Sequence, residues 1–283
     1  MTRLLFERAS ALSKIMLIRI GYDISFELAN STPLIAMLYV HPSRRDDLES
    51  PEEIKVEPNL PVHTYLDAFG NICGRLLAPL GTVRFSLDTR IRDSGVPDPE
   101  APEATQHNIE ELPDETLRFL LPSRYCEVDK LNDEAWRLFG PTRPGWSRVQ
   151  TICDWVHEHI TFGYHFADPQ KSALEVYREG KGVCRDFMHL AVTFCRCLNI
   201  PARYVTGYLG DIGVPPAPYP MDFSAWFEVY LGDKWHTFDA RHNQRRIGRI
   251  LMAVGRDAAD VALTTNFGSA KLLKFEVVTE EVK

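Results

Sequence analysis

The sequence predicts an α+β protein, with helices packed on an antiparallel sheet, preceded by an antiparallel β-sandwich domain. Three stretches carry this prediction. Ile18, Ile20, Tyr22, Ile24, Phe26 and Leu28 alternate with Arg19, Gly21, Asp23, Ser25 and Glu27, the period of two of a half-buried strand. Beyond the turn Gly180-Lys181-Gly182, the apolar residues Phe187, Leu190, Ala191, Phe194 and Leu198 recur at helical spacing. Last, Phe223, Ala225, Phe227, Val229 and Leu231 alternate with Ser224, Trp226, Glu228 and Tyr230, and Gly232-Asp233 is a two-residue hairpin signal before a strand at Lys234. Helices followed by an antiparallel sheet are the order of an α+β core.

At 283 residues, 45% hydrophobic and 25% charged, the chain is long enough for two cores. The expected division is a possible N-terminal extension over 1–15, a sandwich over 16–95, a linker over 96–113 and the α+β core over 114–283. A net charge of -7 argues against a nucleic acid or anionic membrane partner. No window of about 18 residues is continuously apolar, and Met1-Thr2-Arg3-Leu4-Leu5-Phe6-Glu7-Arg8 carries charge where a signal peptide is apolar, so the cytoplasm is the expected compartment. Cys73, Cys126, Cys153, Cys184, Cys195 and Cys197 lack Cys-x-x-Cys spacing and read as reduced thiols, with Cys195 and Cys197 left open as a redox pair.

After the first strand, Leu34 to Val40 is continuously apolar and suits a strand covered on both faces. Ala68-Phe69-Gly70-Asn71 reads as a hairpin turn, and Val83, Phe85, Leu87 and Ile91 alternate again. Four prolines among acids and small residues mark 93–113 as a linker, either a disordered spacer or a segment wrapping one of the domains. Leu131-Asn132-Asp133 caps a helix through Phe139. Val149, Ile152, Cys153, Val156 and Ile160 define another, and Ser172 with Glu175 forms the capping box of a third that Gly180 closes. Strands are expected at 202–209, 223–231 and 234–240, with a last one of the core sheet at 272–278 and a short capped helix at 255–262.

Cys184 falls in the first turn of the helix after Gly182, where unpaired N–H groups and the helix dipole favour a thiolate. Gly182-Val183-Cys184-Arg185-Asp186-Phe187, Ile200 to Tyr208 and Ala225-Trp226-Phe227-Glu228-Val229-Tyr230 resemble the bacterial transglutaminase-like superfamily, and the resemblance extends over nearly the whole chain from Met16 onward. It implies a papain-like core with a Cys-His-Asp triad, in which Cys184 is the nucleophile and Asp239 orients the histidine. It also implies an accompanying N-terminal domain. The histidine belongs immediately before Ala225-Trp226, and this sequence has Ser224 there.

If Leu231 opposes Lys234, Trp226 faces Asp239 and Ser224 faces Arg241. Ser224 and Asp239 are then diagonal neighbours roughly 7–8 Å apart. A histidine spans that gap; a serine hydroxyl does not, and it is a poor base near neutral pH. By the same parity His236 and His242 point to the other face unless a bulge intervenes. His165 and His189 remain as substitutes that parity does not eliminate. Trp226 and Asp186 are expected to support the site, Asp186 as a structural hydrogen-bonding group.

His157, His159 and Asp154 do not form a convincing metal set, so no metal and no cofactor is expected. Arg241, Arg245, Arg246 and Arg249 read as a solvated face with scattered ion pairs rather than an anion site. The functional expectation is a transglutaminase-like or cysteine-protease-like protein taking a protein or peptide substrate, its carboxamide attacked by Cys184 to give a thioester. The alternative is a catalytically inactive binding or scaffold protein on the same fold, because Ser224 replaces the base.

Overall fold

A computed structural model describes residues 15–283, so all of the expected extension except Ile15 lies outside the described residues. The strands and helices in order are β1 (Met16–Leu28), β2 (Thr32–Ala36), β3 (Lys55–Glu57), β4 (His63–Leu66), β5 (Ile72–Ala78), β6 (Gly81–Asp93), α1 (Asp114–Leu117), α2 (Val128–Phe139), α3 (Trp146–His159), β7 (Thr161–Phe162), α4 (Ala173–Glu179), β8 (Lys181–Gly182), α5 (Cys184–Cys197), β9 (Ala202–Leu209), β10 (Ser224–Leu231), β11 (Lys234–Phe238), β12 (Arg249–Gly255), β13 (Thr264–Asn266) and β14 (Ala270–Glu281).

Two four-stranded sheets, β14-β1-β6-β3 and β13-β2-β5-β4, form the sandwich. β1 and β6 pair along their whole lengths from Met16↔Asp93 to Leu28↔Gly81, and the predicted inward residues Ile18, Ile20, Tyr22, Ile24, Phe26 and Leu28 are all buried. The expectation that the last strand joins the core sheet is overturned. β14 runs antiparallel to β1 and β13 pairs with β2, so the chain end returns to complete both sheets of the sandwich. Hydrogen-bonding groups on the open edge of β1 are satisfied this way, whereas the weak alternation of 272–278 carries no mark of its partner.

The α+β core has the sheet β11-β10-β9-β12 with α5 packed on one face. The sheet is apolar on both faces because the other face meets the sandwich. Tyr208 of β9 and Ile250 and Met252 of β12 join the sandwich core, while Tyr204, Val205, Ala253 and Val254 join the helical one. Asn71, in the β4–β5 turn, is fully buried and bonds both backbone groups of Val254, tying the two units together.

Several boundaries moved. β2 stops at Ala36 because the next donors turn to the core: Met37 N–H reaches the Leu263 carbonyl and His41 N–H that of Leu251. α2 begins at Val128, three residues before the cap read at Leu131, and Glu127 precedes it with its carboxylate on the Leu174 N–H. The helix expected at 255–262 is a turn, held by Asp260 on the Arg256 N–H and Asp257 on the Ala259 N–H. The linker wraps the core: Asp98 N–H bonds the Arg246 carbonyl, and the Ala104 and Thr105 carbonyls accept from Trp146 and Gly232. Among the described residues no helix is long and apolar enough to cross a membrane.

Candidate active site

Gly180, in a left-handed conformation at φ +60°, closes α4, and the short parallel pair β7–β8 delivers the chain to α5. Asp186 is fully buried and accepts the Val183 N–H at 2.9 Å, with Arg185 on its other oxygen, so it fastens the first turn of the helix as expected. Cys184 is the first residue of that turn. It is partly exposed, whereas Cys73, Cys126, Cys153, Cys195 and Cys197 are all buried.

The sulfur of Cys184 faces the N–H groups of Arg185 and Ala225, which places it beside the start of β10. These two donors and the Arg241 charge act in the direction the dipole argument predicts. Burial outweighs them, and with Asp222 nearby it raises the thiol above the ordinary cysteine range. The resting thiolate expected from the helix terminus is therefore corrected to a resting thiol, and it needs a proton acceptor to become a nucleophile.

The hairpin register is as read: Leu231 opposes Lys234, and Phe227 opposes Phe238. Gly232 and Asp233, at φ +51° and +64°, make the tight turn that matches the strand twist. Gly207 of β9 must be a glycine, since a Cβ there would stand 2.2 Å from the Ile250 carbonyl oxygen and 2.7 Å from the Trp226 ring. Ser224, the first residue of β10, pairs with Gly207 and is buried.

The ladder ends at Phe238, and here the parity argument stops applying. Asp239 turns the chain instead. Its Oδ1 accepts the N–H groups of Arg241 and His242, both at 3.0 Å, and its carbonyl accepts from Asn243 at 2.8 Å. That turn swings His242 back, so that its Nδ1 lies 2.8 Å from Asp239 Oδ2. The exclusion of His242 by parity is thus wrong; a carboxylate that captures its own downstream N–H groups was the signal available in Asp-Ala-Arg-His-Asn. His236 does lie on the other face, opposite Val229, with its ring nitrogen on the Leu231 carbonyl.

Neither expected substitute reaches Asp239. His189 is fully buried, stacked on Tyr125, and accepts the Ala258 N–H; burial holds its ring far below ordinary imidazole basicity. His165 is exposed, its ring tilted against that of Phe166. His157 and His159 bond separate carbonyls, of Ala240 and Tyr177.

Burial would raise the Asp239 carboxyl, but Arg249 and His242 overcome it and keep the group ionised far below the usual range. Arg249 donates to Asp239 at 2.9 Å and to Asp98 of the wrapping linker at 2.9 Å, with its guanidinium 5.1 Å from the centre of the Trp226 ring. Trp226 therefore supports Asp239 through Arg249 rather than by facing it. Only part of the arginine run is a solvated face: Arg245 is exposed and paired with Glu100, but Arg249 and Arg246 are buried braces, Arg246 on the Gly210 carbonyl and Asp211, while Arg241 lies 4.0 Å from the Phe162 ring centre.

Ser224, Arg241, His242, Tyr164, Tyr219, Asp222 and Arg246 enclose one small cleft of about 50 Å³. The His242 imidazole lines this cleft with the Asp239 carboxylate bonded behind it, and Cys184 adjoins the cleft through the Ala225 N–H and its neighbours Asp222, Arg241 and Tyr164. The sequence profile of the transglutaminase-like superfamily matches residues 136–240, from the last turn of α2 to Ala240, just past Asp239. A crystal structure of a candidate cysteine protease from Cytophaga hutchinsonii superposes with a TM-score of 0.83 at 31% identity, over 96% of this chain and 92% of that one. The chain belongs to the transglutaminase-like superfamily.

An uncharacterised protein of Mycobacterium leprae is 33% identical to this transglutaminase-like chain over 145 residues, 50% of this chain and 52% of the relative. One from Mycobacterium tuberculosis is 27% identical over 143 residues, 47% of this chain and 46% of the relative. The chain spans about half the length of the curated relatives it matches. Sandwich and core are both shared with the Cytophaga structure, in keeping with its coverage of nearly the whole chain.

Proposed function

We propose that this transglutaminase-like chain is a thiol acyltransferase or peptidase acting on carboxamides, glutamine side chains or peptide bonds, through a thioester on Cys184. The observation that carries the reading is the setting of Cys184: of six free cysteines it alone is partly exposed, at a helix N-terminus, with two backbone N–H groups directed at its sulfur. In the proposed reaction Sγ attacks the carboxamide carbon, the C–N bond breaks as ammonia or an amine leaves, and water or a second amine cleaves the thioester. Asp239 and Trp226 act through other groups, Asp239 by orienting an imidazole and Trp226 by holding Arg249. A protein or peptide is the substrate class, and the reduced state of all six cysteines suits the cytoplasm.

Incorporation of a fluorescent primary amine into a glutamine-containing protein, together with ammonia release, tests this. Turnover that Cys184→Ala abolishes is the expected result; turnover unchanged in Cys184→Ala, or absent from the wild type, sinks it. Ser224 favours a second reading, a binding module that keeps the cleft without turnover. Under that reading wild type is silent and Ser224→His gains a turnover that Cys184→Ala removes.

A further inference from the structure

We propose that His242 is the proton-transferring imidazole of the Cys184 site, reaching it from the turn after β11 and supplying the group that Ser224 lacks at the start of β10. The inference rests on the thioester reading and deepens it.

The tautomer follows from the charge state of its partner. Asp239 is ionised and can only accept, so His242 Nδ1, 2.8 Å from Oδ2, must be the protonated nitrogen. Nε2 then carries the free lone pair, and it makes no hydrogen bond among the described residues. The side chain is 20% exposed, and its exposed part lines the cleft that Ser224 lines. Ser224 is joined directly to Ala225, whose N–H faces the Cys184 sulfur. A histidine at 224 would occupy this space; serine leaves it, at about 50 Å³, open to one or two waters or to a ring entering from the turn after β11.

The neighbouring charges belong to every wall of the cleft. Asp239, with Arg249 behind it, lies at the Nδ1 side; Arg241 adjoins on the same turn; Asp222 and Tyr164 stand on the side of Cys184; Arg246 and Asp211 close the far end. Asp222 is the other group able to take a proton here, and burial raises its carboxyl in the direction of that role, but among the described residues no side chain orients it as Asp239 orients His242.

The proton circuit balances. Nε2, directly or through one water, takes the Cys184 proton as sulfur bonds to the carboxamide carbon. The imidazolium returns that proton to the departing nitrogen as the C–N bond breaks. Nε2 then takes a proton from water as it attacks the thioester, the C–S bond breaks and the proton goes to the thiolate, leaving a carboxylic acid product and the free thiol.

Alkylation of Cys184 by iodoacetamide between pH 5 and 9, mapped by mass spectrometry in the full chain, reads the pairing independently of turnover. Wild type should show a limb in the imidazole range that His242→Gln loses, with the rate at pH 6.5 falling at least about tenfold and turnover falling about 10²–10⁴-fold. Asp239→Asn should weaken the same limb. A His242→Gln profile superposable on wild type overturns the inference; if Cys184→Ala still abolishes turnover in that case, the thioester reading survives alone. Loss of the limb in Asp222→Asn but not in His242→Gln overturns it in favour of Asp222. Should the variants misfold, the wild-type protein decides: blocking Cys184 with methyl methanethiolsulfonate should shift the His242 ring titration by NMR, and an unmoved titration overturns the pairing.

Discussion

The two ends of β11 obey different physics. At Lys234 the chain leaves a two-residue turn whose glycine and aspartate sit at positive φ, and every cross-strand pair back to Phe227↔Phe238 follows from that turn by counting. At Phe238 the ladder stops, and the next residues are arranged by one carboxylate, Asp239, which collects two backbone N–H groups, a guanidinium and an imidazole. Backbone periodicity governs the first end and side-chain electrostatics the second. Parity reasoning is reliable only as far as the ladder runs, and the candidate site lies just past its last rung.

The contrast can be broken most sharply at Arg249. Arg249→Leu leaves Asp239 a buried carboxylate without its cation and unlinks Asp98 of the wrapping segment, so a loss of about 3–5 kcal/mol is expected in urea unfolding. Lys at the same position should recover only part of it, because one ammonium cannot serve both carboxylates in the fork geometry of the guanidinium. A change below about 1 kcal/mol would mean that the turn holds without the ion pair.

Acid titration addresses Asp239 itself. Its folded pKa is depressed below an unfolded value of about 3.9, so its contribution is present above that value and is lost as pH falls through the folded pKa. Asp239→Asn should therefore cost about 2–3 kcal/mol at pH 7, and the gap between variant and wild type should narrow steadily below pH 4. A gap that stays constant down to pH 2 would place the stabilisation in shape rather than charge.

At the other end of the strand the expected effects are smaller and free of pH. Gly232→Ala puts a side chain at φ +51° and should cost about 1–2 kcal/mol, by conformation alone, because the nearest atoms to the new Cβ are 3.6 Å away. Thermal melts at pH 4 and pH 8 should show the same decrement. Smallest of all, Ser224→Ala should change stability by no more than about 0.5 kcal/mol, since among the described residues its hydroxyl makes no hydrogen bond and the bond from Thr206 goes to its backbone carbonyl, which alanine keeps. It should also leave alkylation of Cys184 unaltered if His242 is the base; a drop in that rate would return the hydroxyl to the proton path.

What the sequence determined by itself is whatever rests on near neighbours in the chain. The apolar period of 187–198 set Cys184 at the start of α5, Gly232-Asp233 set the hairpin register, Ser172 and Glu175 set the start of α4, and Asp186 set the cap below the cysteine. Local rules sufficed because each partner lies within a few residues. Tertiary structure alone decided what depends on distant partners. β14 was claimed by β1, more than 240 residues away, because an unpaired strand edge must be satisfied and its own sequence names no partner. Arg246 and Arg249 read as surface charge until Asp98, Asp211 and Asp239 were brought around them, since a guanidinium is buried only where acceptors, here carboxylates from other segments, meet it. His242 belongs to both classes: its bond to Asp239 is local, but its place beside Ser224 exists only because the chain turned where the sheet ran out of partners.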